Sequence, residues 1–143
     1  MIFPPIYEFG NVMVFEPGVP NKERIVLRPT EVVDLSRYGV WAAWQHENGT
    51  VTPLPNLSFW FGLKTASPPS WIVIFTGKGE YRELSHLETK EPVLCFHWGS
   101  EQTLFNYRQL VPVVYRYDSF SIGTHMSPVP LFPPVQPTPQ LSK

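Results

Sequence analysis

Short runs of alternating apolar and polar residues, punctuated by Gly, Pro and Asn, constrain this chain more than any other feature. Residues 57–63 are the cleanest case. Leu57, Phe59, Phe61 and Leu63 point one way, and Ser58, Trp60, Gly62 and Lys64 the other. A period of two belongs to a strand with one buried face. No stretch carries a long helical period, and no internal repeat suggests a solenoid or propeller.

Other segments extend the pattern. Residues 6–9 and 12–15 flank Gly10-Asn11, and Gly at the first turn position supplies a positive φ, so a tight hairpin is expected. Arg24-Ile25-Val26-Leu27-Arg28 reads as a half-buried strand with Ile25 and Leu27 inward. Residues 30–38 allow a short helix capped by Thr30, but Val32-Val33 favours extended chain. Residues 40–46 and 51–54 flank Asn48-Gly49, a strong hairpin signal. Pro53 and Pro55 make the second of these strands short or place it at an edge. Residues 71–75 are apolar on both faces, as in a central strand. Gly77-Lys78-Gly79 reads as a hairpin turn leading into residues 80–84. Further strands are expected at 93–98, 103–108 and 111–117, and a last short one at 119–122.

The expected fold class is all-β: a single antiparallel β-sandwich or barrel-like domain of about ten short strands. It covers residues 1–126 and is followed by a proline-rich C-terminal tail, residues 127–143. Six of the seventeen tail residues are Pro, which favours polyproline II and cannot form a ladder. The tail is either solvated or folded back through Leu131, Phe132 and Val135. Its PxxP spacings lack the flanking basic residue of an SH3 ligand.

Composition narrows the functional classes. Hydrophobic residues make up 43% and aromatics 15%, enough for a real core in 143 residues. Charged residues are only 16%, and eleven Lys and Arg against twelve Asp and Glu leave a net charge of −1. That balance argues against duplex nucleic acid and against electrostatic attachment to membranes. The lone Cys95 excludes an internal disulfide and a zinc site built from cysteines. The N-terminal residues lack signal-peptide features, and the longest apolar stretch, residues 71–75, is too short to cross a bilayer. A cytoplasmic protein without a membrane segment is the expectation.

Candidate chemistry is sparse. Cys95 and His97 lie two apart on a strand and share a face, as two ligands or a thiol beside a base would. A buried Cys and a hydrogen-bonded His explain the same pattern. Glu80, Glu83, Glu88 and Glu91 surround His86 in polar stretches that suit solvated carboxylates better than an acid–base pair. Gly77-Lys78-Gly79 lacks the spacing of a phosphate loop. Tyr81-Arg82, Tyr107-Arg108 and Tyr115-Arg116-Tyr117 interleave aromatics with arginine, as in single-strand stacking surfaces. Alternation instead sends Tyr to the core and Arg to water. Trp60 falls on the polar face of its strand, either roofed by Leu131 and Phe132 or open to a partner. Trp41 and Trp44 point to opposite faces of another strand.

The binding candidates are therefore Trp60, Trp41, His97 and Arg116, with no catalytic, metal or cofactor set. The expected function is a small intracellular binding protein that occupies a partner macromolecule, most simply another protein. An inhibitor or immunity-type accessory of bacterial or phage origin fits the size. A small-ligand or carbohydrate binder or hydrolase using a cavity between sheets is a second reading. Single-stranded nucleic-acid binding is a third. Homo-oligomerisation is left open.

Overall fold

The computed structural model describes residues 5–130. Among these residues ten strands form: β1 (Met13–Phe15), β2 (Arg24–Leu27), β3 (Val33–Asp34), β4 (Tyr38–Gln45), β5 (Val51–Trp60), β6 (Thr65–Ala66), β7 (Trp71–Phe75), β8 (Arg82–Ser85), β9 (Pro92–His97) and β10 (Leu110–Arg116). One short 3-10 helix, Leu35–Arg37, is capped by Asp34, whose carboxylate accepts from the Ser36 N–H. The all-β expectation is met, but the single antiparallel sandwich or barrel is corrected. Among the described residues there are three sheets, ordered β1-β2-β7-β9-β8, β10-β4-β5 and β3-β6, and none closes into a barrel. One pairing, β7 with β9, is parallel.

The five- and three-stranded sheets bury their inner faces in one core. Ile25 and Leu27 of β2, Ile72 and Ile74 of β7, and Leu94 and Phe96 of β9 come from one side. Tyr38, Val40 and Ala42 of β4, with Leu57, Phe59, Leu110 and Val114, come from the other. Rings fill the space between them: Phe61 meets Phe96 edge-on at 5.2 Å, and Phe59 lies 5.7 Å from Trp98. Burial of such side chains contributes about 1.5–3 kcal/mol each.

The hairpin expected at Asn48-Gly49 forms. Gly49 adopts φ +86, His46 N–H bonds Thr50 C=O, and β4 pairs with β5. The hairpin expected at Gly10-Asn11 does not. Gly10 does not take a positive φ, so the chain does not reverse there. Residues 8–15 instead run alongside one strand: Phe9 bridges Pro29, Gly10 N–H bonds Arg28 C=O, and Met13 pairs with Val26. Gly77-Lys78-Gly79 is not a hairpin turn either. The chain passes over, and β9 inserts between β7 and β8, so the β8–β9 hairpin closes at His86 and Glu91.

Three smaller expectations also change. Leu63 is exposed, because Gly62 at φ +81 breaks the alternation after Phe61. Residues 103–108 form a loop rather than a strand, with Leu104 and Phe105 buried. Residues 119–122 are not a strand. Leu131, Phe132 and Val135, with the rest of the tail beyond Pro130, lie outside the described residues.

That loop is held by Glu23, a charged residue with no exposed surface. Its carboxylate accepts from the Gly18 N–H at 2.7 Å, the Leu104 N–H at 2.6 Å, the Phe105 N–H at 3.1 Å and the Thr76 hydroxyl at 2.8 Å. Three loops thus converge on one carboxylate, which fills its lone-pair sites and lets the group sit buried.

Candidate functional site: an aromatic sheet face

The outer face of the three-stranded sheet follows from strand register. Val113, Trp41 and Ser58 form one cross-strand row, and Tyr115, Gly39 and Trp60 the next. Alternation puts Val111 and Ala43 on the same side. No charged side chain stands in these rows.

Gly39 organises the face. A Cβ there would overlap the Tyr115 ring and hydroxyl and would lie 2.7 Å from the Phe59 carbonyl oxygen. Without one, Tyr115 lies across β4 and reaches β5, where its hydroxyl meets the Ser58 hydroxyl at 2.9 Å. The same ring stacks on Trp41 at 4.4 Å and meets Tyr117 edge-on at 5.2 Å. Burial pushes the Tyr115 phenol above its ordinary value, so it stays protonated and can donate at neutral pH. Trp60 stands at the end of this cluster, 51% exposed, and its indole N–H donates to the Ser36 carbonyl at 2.7 Å. Its ring is therefore held in place with about half its surface in solvent.

Both edges of this sheet are blunted. Gln45 N–H bonds Gln109 C=O, and Tyr117 N–H bonds Arg37 C=O. Alternation between these pairs turns the even-numbered β10 residues outward, Pro112 among them. On β5, the bond from His46 N–H to Thr50 C=O turns Pro53 outward in the same way. At each edge one of the groups that would donate to an added strand is missing, at Pro112 and at Pro53.

Four candidates were read from sequence, and the structure brings two of them together. Trp41 and Trp60 share the aromatic face, while Trp44 pairs with Leu110 near the hairpin end and does not join it. His97 lies in the other sheet. Its ring stacks on Phe75 at 5.4 Å, and a Cβ on Gly79 would overlap it. Cys95 shares the strand with His97 but is buried, which pushes its thiol above the ordinary value; Arg82 offsets this in part. A protonated, enclosed thiol is a poor nucleophile or ligand. Among the described residues, no three His, Cys, Asp or Glu side chains gather as a metal site would require.

Arg116 is a correction to the expectation of Tyr inward and Arg in water. On β10 the tyrosine faces outward, and Arg116 turns to the other side, where it pairs with Glu8 and with Asp118 at 2.8 Å. The pair ties the N-terminal segment to the sheet end, which leaves Arg116 committed to structure. Burial alone would raise the Glu8 carboxyl above its ordinary 4.5, but hydrogen bonds from its backbone, Arg116 and Tyr38 hold it lower. A lowered folded value contributes stability that is complete above pH 4.5 and is lost as pH falls through that lowered value. The protection factor of the Thr30 amide, whose N–H bonds the Glu8 carbonyl, should therefore fall on acidification, once the slower intrinsic exchange at low pH is divided out. Glu8→Gln should remove that pH dependence. An equal acid response in both proteins would show that Glu8 does not set it.

Tyr115 and Gly39 were missed from sequence. An isolated Gly inside a strand signals a close approach, which is the one clue that could have found them. Among the described residues, no helix is long and apolar enough to cross a membrane. No protein-family model matches the chain, and neither the curated proteins nor the solved structures give a match.

Proposed function

We propose that this protein acts by binding another protein through the outer face of β4, β5 and β10. The observation that carries this reading is Trp60, fixed by its bond to Ser36 yet half exposed, in cross-strand rows that hold no charged side chain, with Trp41 and Tyr115. Interface cores are enriched in Trp and Tyr and depleted of charge. The proline-blunted edges add support, since they direct association to the face rather than to strand addition. The finer reading, an intracellular inhibitor or immunity-type accessory of bacterial or phage origin, rests on the small size and the lack of a cofactor motif.

The test is affinity capture from the source lysate, followed by binding measurements with the purified partner. Trp60→Ala should weaken the complex about thirtyfold, the effect of a hot-spot residue worth about 2 kcal/mol. Near-UV circular dichroism should confirm that the Trp41–Tyr115 stack survives. A partner whose affinity is the same for wild type, Trp60→Ala and Trp41→Ala binds elsewhere, and the reading fails.

A further inference from the structure

A second surface feature lies where β1 approaches the start of β10. Val14, Pro17, Phe105 and Leu110 wall an apolar cleft of about 270 Å³, with Tyr107 and Arg108 also lining it. Tyr107 is 66% exposed. The cleft is preformed. Gly18, next to Pro17, and Phe105 both donate backbone N–H groups to the buried Glu23 carboxylate, so two of its walls are fixed to one anchor. The Tyr107 carbonyl accepts from the Leu110 N–H at 2.9 Å, which closes the turn that carries Arg108.

The charge around this cleft is one-sided. Among the described residues, no carboxylate pairs with Arg108. Glu16, adjacent to Pro17 in the chain, is engaged by Arg24 at 2.7 Å. An apolar cavity beside an available guanidinium is complementary to an aliphatic side chain next to a carboxylate.

We propose that this cleft anchors a protein partner by a leucine-like side chain followed by an acidic residue, whose carboxylate pairs with Arg108. The proposal rests on the protein-binding reading for the class of partner, but on different residues. Tyr and Arg beside an apolar pocket also match the composition of interface hot spots.

The test uses acetyl-Leu-Asp-amide, with acetyl-Leu-Asn-amide as its uncharged isostere, titrated into the full-length ¹⁵N-labelled protein. The charged peptide should shift the amides of Val14, Phe105, Tyr107 and Leu110 with millimolar affinity, the range expected of so small a ligand. It should bind about threefold tighter than the isostere, as for one exposed ion pair, and added salt should reduce the difference. Arg108→Gln, an exposed change that leaves the walls intact, should make the two peptides equal. Trp60→Ala should leave the titration unchanged, which separates this site from the aromatic face. Absence of shifts at the cleft, equal binding of both peptides to wild type, or a preference that survives Arg108→Gln would each overturn the proposal.

Discussion

Replacing Glu23 with alanine is expected to destabilise the protein by about 3–5 kcal/mol, because it strips a partner from four donors at once. The Gly18, Leu104 and Phe105 N–H groups and the Thr76 hydroxyl all converge on this carboxylate. Leu104 and Phe105 are buried, and among the described residues neither N–H has another acceptor. Glu23→Gln keeps the shape but should still be costly, since its amide nitrogen would face donors rather than accept from them. Urea denaturation should show a markedly lower midpoint for both variants. Hydrogen exchange should place the earliest loss of protection at Gly18, Leu104 and Phe105. A midpoint within experimental error of wild type for Glu23→Ala would mean that the three loops hold together without it.

Gly39→Ala is expected to cost about 2–4 kcal/mol, through overpacking that the surroundings cannot relieve. One clash is with the Tyr115 ring, which could move. The other is with the Phe59 carbonyl oxygen, 2.7 Å from the added Cβ, and that atom is part of the β5 backbone. The near-UV circular dichroism of the Trp41–Tyr115 stack should be lost together with stability. Tyr115→Ala made in the Gly39→Ala background should recover only part of the deficit, because the backbone clash persists. Full recovery in the double variant would show that the β4–β5 spacing is softer than the register implies, and wild-type stability of Gly39→Ala alone would remove the close-approach account altogether.

The strands were legible where a local rule sufficed. Leu57 and Phe59 alternate into the core, Ile25 and Leu27 do the same, and Asn48-Gly49 makes its hairpin. These outcomes depend on neighbours within a few residues. Gly10-Asn11 carries an equally good local turn signal, yet the chain runs straight past it. There, both flanking segments find hydrogen-bond partners along residues 24–30, and long-range pairing overrides the turn. The parallel β7–β9 pair was hidden for a related reason. Nothing local in Gly77-Lys78-Gly79 records that a later strand will take the place beside β7.

The candidate site divides along the same line. Alternation alone put Trp60 on the outward face of its strand, and Trp41 on one face of another. That the two faces coincide is a matter of register between β4 and β5. That Tyr115 joins them follows from register between β4 and β10 and from the space above Gly39. Arg116 shows the reverse case: a residue that reads as a free cation beside tyrosines is taken by Glu8, which lies 108 residues earlier in the chain.

By itself, then, the amino-acid order determined that the chain folds into short strands, which residues of several strands are buried, and that at least one Trp faces away from the core. Side-chain period and turn chemistry act over a few residues, so one chain suffices to read them. Only the tertiary structure decided the three-sheet arrangement, the convergence of three loops on Glu23, and the aromatic face built around Gly39. Each of these depends on pairing between segments far apart in the chain, and no local pattern encodes which distant strand will arrive or in what register.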